Sequence, residues 1–228
     1  MQRLAAVVLP ERCPACSGPT TKGFCSGCRA ELPRIEDPCV VCGLPKPVAH
    51  CPRQRGDWHV AAVRAPFRYA PPLDAYLHKL KFGRARALGR ALALAAAPTL
   101  AAGVDARSEK DPLLVPVPLS RERLVERGFD QAVEIARALA RELTLPVDTA
   151  VATRRRPIAP QSLLGARERR ANVAGLFGVT RPAAVHGRAV IVVDDVITTG
   201  ATANALADAL RSAGATRVEA WAVARTIA

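Results

Sequence analysis

Cysteine is missing from the last 177 positions of the chain; all seven lie between Cys13 and Cys51 of its 228 residues. Aromatic residues make up only 4% of the sequence, which argues against a surface built for extended base stacking along a single strand. Acidic residues are few beside basic ones, 20 against 33, and the formal net charge is +13. Such a surface favours polyanions, whether nucleic acid, anionic lipid or phosphorylated substrates. Long apolar runs are absent as well. Leu4 to Leu9 is too short for a signal-peptide core and runs into Pro10. The Ala-rich run from Ala91 to Ala102 contains Pro98 and falls short of the ~20 residues a membrane span needs. The expectation is a cytoplasmic protein with no membrane span. No Gly-Lys dipeptide and no Gly-x-Gly occurs, which excludes a Walker P-loop and the dinucleotide fingerprint. Half of the residues are hydrophobic, enough for one domain of ordinary size beside a small module.

The most informative stretch runs from Val190 to Thr202. Val190-Ile191-Val192-Val193 reads as a buried strand, Asp194 and Asp195 follow at its C-terminal end, and Val196 and Ile197 lead into Thr198-Thr199-Gly200-Ala201-Thr202, where a helical pattern begins. A strand, two acids, hydroxyl residues, glycine and a helix in that order suit a sugar phosphate. Loop amides and the helix N-terminus attract a phosphate dianion. Thr198, Thr199 and Thr202 add hydroxyl donors, and Gly200 allows close approach and a positive φ. Asp194 and Asp195 are acceptors for a ribose diol, directly or through a divalent cation. The segment resembles the signature of the type I phosphoribosyltransferases, which bind phosphoribosyl pyrophosphate (PRPP).

The cysteines form three CxxC pairs, Cys13 with Cys16, Cys25 with Cys28 and Cys39 with Cys42, while Cys51 stands alone. Two such knuckles facing each other give the tetrahedral sulfur shell that zinc prefers. An odd count and an expected cytosolic setting argue against disulfides, and three pairs in forty residues favour structural metal over redox chemistry. One site is most simply Cys13, Cys16, Cys25 and Cys28. A second uses Cys39, Cys42 and Cys51 with one further donor, for which His50 and His59 are the candidates. Structural zinc stabilises a module too small to build its own core.

Periodicity predicts a strand-like segment from Val60 to Ala70, a helix from Leu73 to Phe82 with Leu73, Tyr76, Leu77 and Leu80 on one face, and a second helix from Arg84 to about Ala97. Leu113 to Pro118 reads as a short strand, Ser120 to Gly128 as a basic loop, and Phe129 to Leu143 as an amphipathic helix with Val133, Ile135, Ala136 and Leu139 inward. Val147 to Val151 reads as another strand and Arg154 to Asn172 as a long basic irregular segment. Ala201 to Ala213 is the helix after the signature, with Gly214 as its cap, and Val218 to Ala224 the last strand. Strands alternating with helices predict an α/β fold with a parallel sheet, ligands sitting at the strands' carboxyl ends. The guanidinium forks of the two arginine segments suit a pyrophosphate, and the second segment suits a lid.

The order of pieces is more telling than any one of them. Cysteine knuckles precede Leu77-His78-Lys79-Leu80-Lys81-Phe82, then Pro116-Val117-Pro118-Leu119, then Arg127-Gly128-Phe129-Asp130-Gln131, then Asn172-Val173 and the acidic signature. This resembles the ComF family over nearly the whole chain. The resemblance implies a type I phosphoribosyltransferase-like parallel sheet with helices on both faces (residues 59–228) and an N-terminal zinc-ribbon module (residues 1–58). It also implies a link to natural competence and imported single-stranded DNA, with competence helicase or uptake proteins as partners. The chain departs from the family pattern at Asp130, where Asn is usual, at Ile158, where Thr is frequent, and after Cys51, where Gln54 replaces a second cysteine.

Two functions follow. In one, the chain is a PRPP-dependent phosphoribosyltransferase with zinc in the ribbon and Mg2+ accompanying PRPP. Thr198, Thr199, Gly200, Ala201 and Thr202 would hold the 5-phosphate, Asp194 and Asp195 the ribose hydroxyls, and Ser120, Arg121, Arg127 and Arg169 the pyrophosphate. No residue identifies itself as the base for an accepting nucleophile, so the acceptor stays open. In the other, the same pocket senses PRPP or a nucleotide without turnover, while basic segments and the ribbon contact DNA or protein partners.

Overall fold

The computed structural model describes residues 11–48, 51, 58–83, 85–102, 104, 112–155 and 175–227. Its centre is a parallel sheet of five short and long strands. β3 (Val63–Arg64) and β4 (Phe67–Arg68) both pair with β9 (Arg217–Arg225), which pairs with β8 (Ala189–Ile197), which pairs with β5 (Leu113–Pro116). A parallel sheet buried on both faces needs continuous apolar strands, not alternating ones. Val190 to Val193 and Val218 to Ala224 meet that need, with Glu219 the single charged residue among them.

On one face lie α2 (Leu73–Phe82), α3 (Arg86–Ala101) and α5 (Gln131–Leu143), whose Leu77, Leu80, Leu92, Ile135 and Leu139 pack with Ile191, Val193, Trp221 and Val223. On the other lies α7 (Ala201–Ser212), whose Ala203, Leu206, Ala207 and Leu210 pack with Val190, Val192, Val218 and Ala220. The helices α5 and α7 follow neighbouring strands and leave toward opposite faces. After α5 the chain returns on the outer side of β5, where Val147 pairs in parallel with Leu114. The crevice between β5 and β8 at their carboxyl ends is therefore a topological switch point, where open α/β sheets bind ligands.

The cysteine module, with β1 (Glu11–Arg12), β2 (Pro19–Thr20) and α1 (Ser26–Ala30), packs against α3. Cys13, Phe24 and Leu32 belong to the same core as α2 and α3. Gly23 sits at φ +70°, a conformation that favours glycine, and a Cβ there would be tight, 3.3 Å from the Ala91 backbone.

Three sequence expectations need correction. Ser120 to Gly128 is not a loop. It is α4 (Arg121–Arg127), started by Ser120, whose Oγ accepts from the Arg123 amide at 3.4 Å, and ended by Gly128 in the left-handed region. Val147 to Val151 contributes a single bridge instead of a strand. The strand begins at β6 (Ala152–Arg154) and joins β7 (Phe177–Val179) in a separate antiparallel ribbon, with the short α6 (Pro182–Val185) after it. Finally, β8 does not stop before its acids; it runs through Asp194 and Asp195 to Ile197 because β9 continues to pair with it as far as Arg225. Among the described residues no helix is long and apolar enough to cross a membrane.

Asp130 ties the crevice together. Its Oδ1 accepts from the Ala132 and Val133 amides at 2.8 and 3.3 Å, capping α5, and its Oδ2 accepts from the Leu119 amide at 3.0 Å. Burial foremost, with the charge of Asp195 adding to it, raises its carboxyl above the usual range despite those three amides. Replacing Asp130 by Ala removes the cap and the tether together. The expected cost is about 1 kcal/mol, read in urea denaturation as a lower midpoint with an unchanged slope.

Candidate functional site

Asp195 continues the face of β8 that carries Ile191 and Val193, so it enters the layer of α2. There Lys81 meets it, with Nζ 2.6 Å from Oδ2 and side-chain exposures of 23% and 6%. The local reason is the pattern of α2. Leu73, Leu77 and Leu80 are buried on the core side of this helix, and Lys81 follows them in its last turn at the strand end. Asp194 faces the other way. Its Oδ1 accepts from the Asp195 amide at 2.8 Å. Burial first, then the charge of Asp195 and the contact with that carboxyl, push Asp194 well above the usual carboxylate range, against a smaller pull from Lys81. Arg154, at the end of β6, senses Asp194 from the ribbon side, and its ring partner is Phe177, 5.9 Å from the guanidinium.

The turn after β8 is open on its outer side. Thr198, Thr199 and Ala201 are exposed, while Gly200 is buried in the left-handed region at φ +82°. A side chain at Gly200 would collide with the ring of Trp58. No side chain caps α7 through Gly200, and Thr199 Oγ1 accepts from the Ala201 amide at 3.3 Å. The result is a twelve-residue helix presenting its N-terminus to the open side of the turn, directly after two carboxylates; helix N-terminal amides attract anions.

Ser120, Arg121 and Arg127 are brought to one short helix at the carboxyl end of β5. Ser120 is occupied as its cap and Arg121 is exposed at its first position. Arg127 is buried; its Nη1 donates to Gln131 Oε1 at 3.0 Å and its guanidinium lies 5.1 Å from the Phe82 ring centroid. Among the described residues, the Nε groups of Arg127 and Arg154 are buried without a hydrogen-bond partner. Arg169, Gln161 and Asn172 lie outside the described residues. Beside α4 is a cavity of about 420 Å³ lined by Leu119, Leu124, Phe129, Asp130, Arg137 and Thr149 among others; Asp194 and Asp195 do not line it.

Sequence reasoning passed over Lys81, Trp58 and Arg225. Lys81 was legible only as a charge flanking an apolar stripe. Arg225, buried at 3% exposure, donates from Nη1 to the carbonyls of Ile197 at 3.0 Å and of Thr198. Nothing in the order Trp58-His59 signals that the ring closes over a glycine distant in the chain.

The seven cysteines form two clusters. The sulfurs of Cys13, Cys16, Cys25 and Cys28 lie within 4.8 Å of one another, as do those of Cys39, Cys42 and Cys51. Four thiolates about 2.3 Å from one tetrahedral ion stand roughly 3.8 Å apart, and Cys16 and Cys25 are 3.7 Å apart. Burial alone would raise Cys13, but the amides of Cys25, Cys16 and Ala15 outweigh it and hold the thiol down to about 6. Burial and the neighbouring sulfurs raise Cys28. Four thiols this close ionise together only around a cation, so the donor set fits zinc. The second cluster supplies three donors. His59 is not one of them; its amide donates to Asn204 Oδ1 and its Nε2 lies 3.8 Å from Asp208, both on α7. His50 lies outside the described residues.

Comparison with known proteins agrees with this geometry. A phosphoribosyl transferase domain model matches residues 130–228, and a double zinc ribbon domain model matches residues 4–56. The DNA utilization protein YhgH of Escherichia coli (strain K12) is 34% identical over 97% of this chain and 100% of its own length. Competence protein F of Haemophilus influenzae is 29% identical over 94% of this chain and 96% of its own. The chain belongs to the ComF family. A glutamine phosphoribosylpyrophosphate amidotransferase from B. subtilis, complexed with ADP and GMP, overlaps 58% of the ComF chain and 24% of its own, at 20% identity and a TM-score of 0.35. By the two domain models and the fold described above, the ComF chain has a type I phosphoribosyltransferase-like sheet and an N-terminal zinc ribbon.

Asp194 gives a pH test. Its raised folded-state pKa means that, above the ordinary carboxylate value, the folded chain keeps a proton the unfolded chain has lost. Stability then falls as pH rises through that window. Asp194→Asn is expected to melt a few degrees higher than the parent near neutral pH, with the gain vanishing below about pH 4. Scanning calorimetry across that range reads it; a variant that melts lower at neutral pH contradicts the assignment of strain to this carboxyl.

Proposed function

We propose that the chain binds PRPP together with Mg2+ in the crevice between β5 and β8, and that it is a phosphoribosyltransferase whose acceptor is open. The observation that supports this reading best is the uncapped N-terminus of α7 with its open Thr198–Thr202 turn, directly after two acids on the preceding strand. In this reading Thr198, Thr199, Gly200, Ala201 and Thr202 hold the 5-phosphate through amides and hydroxyls. Asp194 and Asp195 orient the ribose hydroxyls. Ser120, Arg121, Arg127 and Arg169 hold the pyrophosphate, and the unsatisfied Nε of buried Arg127 is a donor in need of an anion.

The two carboxylates are hard oxygen donors, and a cation beside them relieves the repulsion that raises Asp194. When bound, Mg2+ would supply positive charge that offsets the pyrophosphate oxygens. The chain's own part is positional and electrostatic. The turn fixes one end of the sugar, the acids fix its hydroxyls, and the arginines stabilise charge developing on pyrophosphate as its bond to the anomeric carbon lengthens. Lys81, 2.6 Å from Asp195, aims that carboxylate, so it belongs to the same machinery.

Residues 1–58 are read as a structural ribbon and residues 59–228 as the ligand-binding unit. Thiolate ligands of this kind persist in a reducing compartment, so we place the protein in the cytoplasm. The names of the YhgH and competence protein F relatives, with the net charge of +13, support a role in handling imported single-stranded DNA during competence.

Isothermal calorimetry with PRPP and Mg2+ tests the site. The wild-type chain is expected to bind, and Asp195→Asn to lose at least about tenfold in affinity, the factor that ~1.4 kcal/mol gives. Unchanged affinity in that variant overturns the assignment. Pyrophosphate release in the presence of candidate bases identifies an enzyme; PRPP binding without release identifies a sensor.

A further inference from the structure

One buried guanidinium joins the second cysteine cluster to the turn after the acids. Arg225 closes β9 and is 3% exposed. Its Nε donates to the carbonyl of Cys42 at 3.0 Å, and its Nη1 to the carbonyls of Ile197 at 3.0 Å, Thr198, and Thr226 at 3.3 Å. Every one of these partners is a backbone oxygen. A buried charge is tolerated only when its donors are satisfied, so Arg225 holds these oxygens as firmly as they hold it.

The consequence for the turn follows from peptide geometry. In a trans peptide the C=O and the next N–H point in opposite directions. With the Ile197 and Thr198 carbonyls turned inward to Arg225, the Thr198 and Thr199 amides are turned away from it. The same guanidinium depends on Cys42, whose carbonyl is set by a knuckle turn. In that turn the Gly43 amide donates to the Cys39 carbonyl at 2.8 Å and the Cys39 amide to the Leu44 carbonyl at 2.7 Å. Gly43 sits at φ +70°, and a Cβ there would lie 3.0 Å from Val63 of β3, so the knuckle is seated on the sheet edge. A metal gathering the sulfurs of Cys39, Cys42 and Cys51 would pin that turn.

We propose that Arg225 is a positioning residue that transmits the metal occupancy of the Cys39–Cys42–Cys51 cluster to the Thr198–Thr202 turn, orienting its amides for an anionic phosphate. Metal loss from this cluster frees the Cys42 carbonyl, releases one end of the guanidinium, and lets the Thr198–Thr199 peptide plane rotate, while the Ile197 carbonyl stays held by the Thr226 amide at 3.0 Å. The functional consequence rests on the phosphate reading of that turn, while the mechanical link does not.

The test uses the full zinc-loaded chain and reads 15N NMR order parameters of the Thr198–Thr202 amides, which need no ligand. Cys51→Ser, with its metal content measured, should lower them from the rigid range of about 0.85 to below about 0.6, leaving the α5 amides unchanged. Arg225→Lys should do the same with both sites metal-loaded, and the double variant should be no more mobile than either single one. Cys51→His, which restores a donor, should return the order parameters toward wild type even if the serine variant folds poorly. Wild-type order parameters in Cys51→Ser or Arg225→Lys, or full additivity in the double variant, overturn the proposal. PRPP affinity, measured in parallel, separates the two ideas. Coupled mobility in a chain that binds no PRPP supports the staple and removes the phosphate reading. PRPP binding with an uncoupled turn removes the staple alone.

Discussion

Carboxylates at the end of a buried parallel strand demand a cation, and Lys81 is the cation that Asp195 receives, at 2.6 Å. Ion pairs of this kind are weak sources of stability but costly to break, because the surviving charge is left without a partner. The contact fixes where α2 ends relative to β8, and so where the crevice between β5 and β8 opens. Asp194 feels burial and the charge of Asp195 more strongly than the pull of that same lysine. The site is thus asymmetric before any ligand arrives. One acid is paired and held, and its neighbour is raised in pKa by burial and by the first acid's charge. A divalent cation beside the pair would relieve what folding alone does not.

A second constraint comes from the opposite direction. The cysteine module is small, yet it is not a bead on a string. Cys13, Phe24 and Leu32 share a core with the helices, the Ile35 amide donates to the Pro66 carbonyl at 2.9 Å, and the Arg68 amide to the Pro33 carbonyl at 2.7 Å. The second cysteine cluster sits beside β3 and reaches the Thr198–Thr202 turn through Arg225. Metal bound there would stabilise more than the ribbon, because elements next to it also frame the crevice. Trp58 adds the remaining wall by closing over Gly200.

Much of this was readable in the chain because it is local. The order of strand, acids, hydroxyls, glycine and helix from Val190 to Thr202 maps directly onto β8, the turn and α7, and Gly200 takes the positive φ its type allows. The stripe of Leu73, Leu77 and Leu80 gave α2 with the bounds expected. What escaped was long-range or masked by charge. Arginine and glutamate in Arg121-Glu122-Arg123 hid a helix, although Ser120 before it and Gly128 after it are the cap residues of one. Val147 to Val151 looked like a strand by residue type, but only Val147 finds a partner edge. Lys81 showed only as a charge in the Leu77–Phe82 motif and Arg225 not at all, since each acts on a residue brought to it by the sheet.

The role of the crevice depends on whether the turn after β8 captures a sugar phosphate. Backbone amide NMR of the zinc-loaded chain titrated with ribose 5-phosphate measures that capture without requiring turnover, metal or an acceptor. Saturable downfield shifts of the Thr198 to Thr202 amides are the predicted result. Shifts confined to the basic surface elsewhere, or none at this turn, would contradict it.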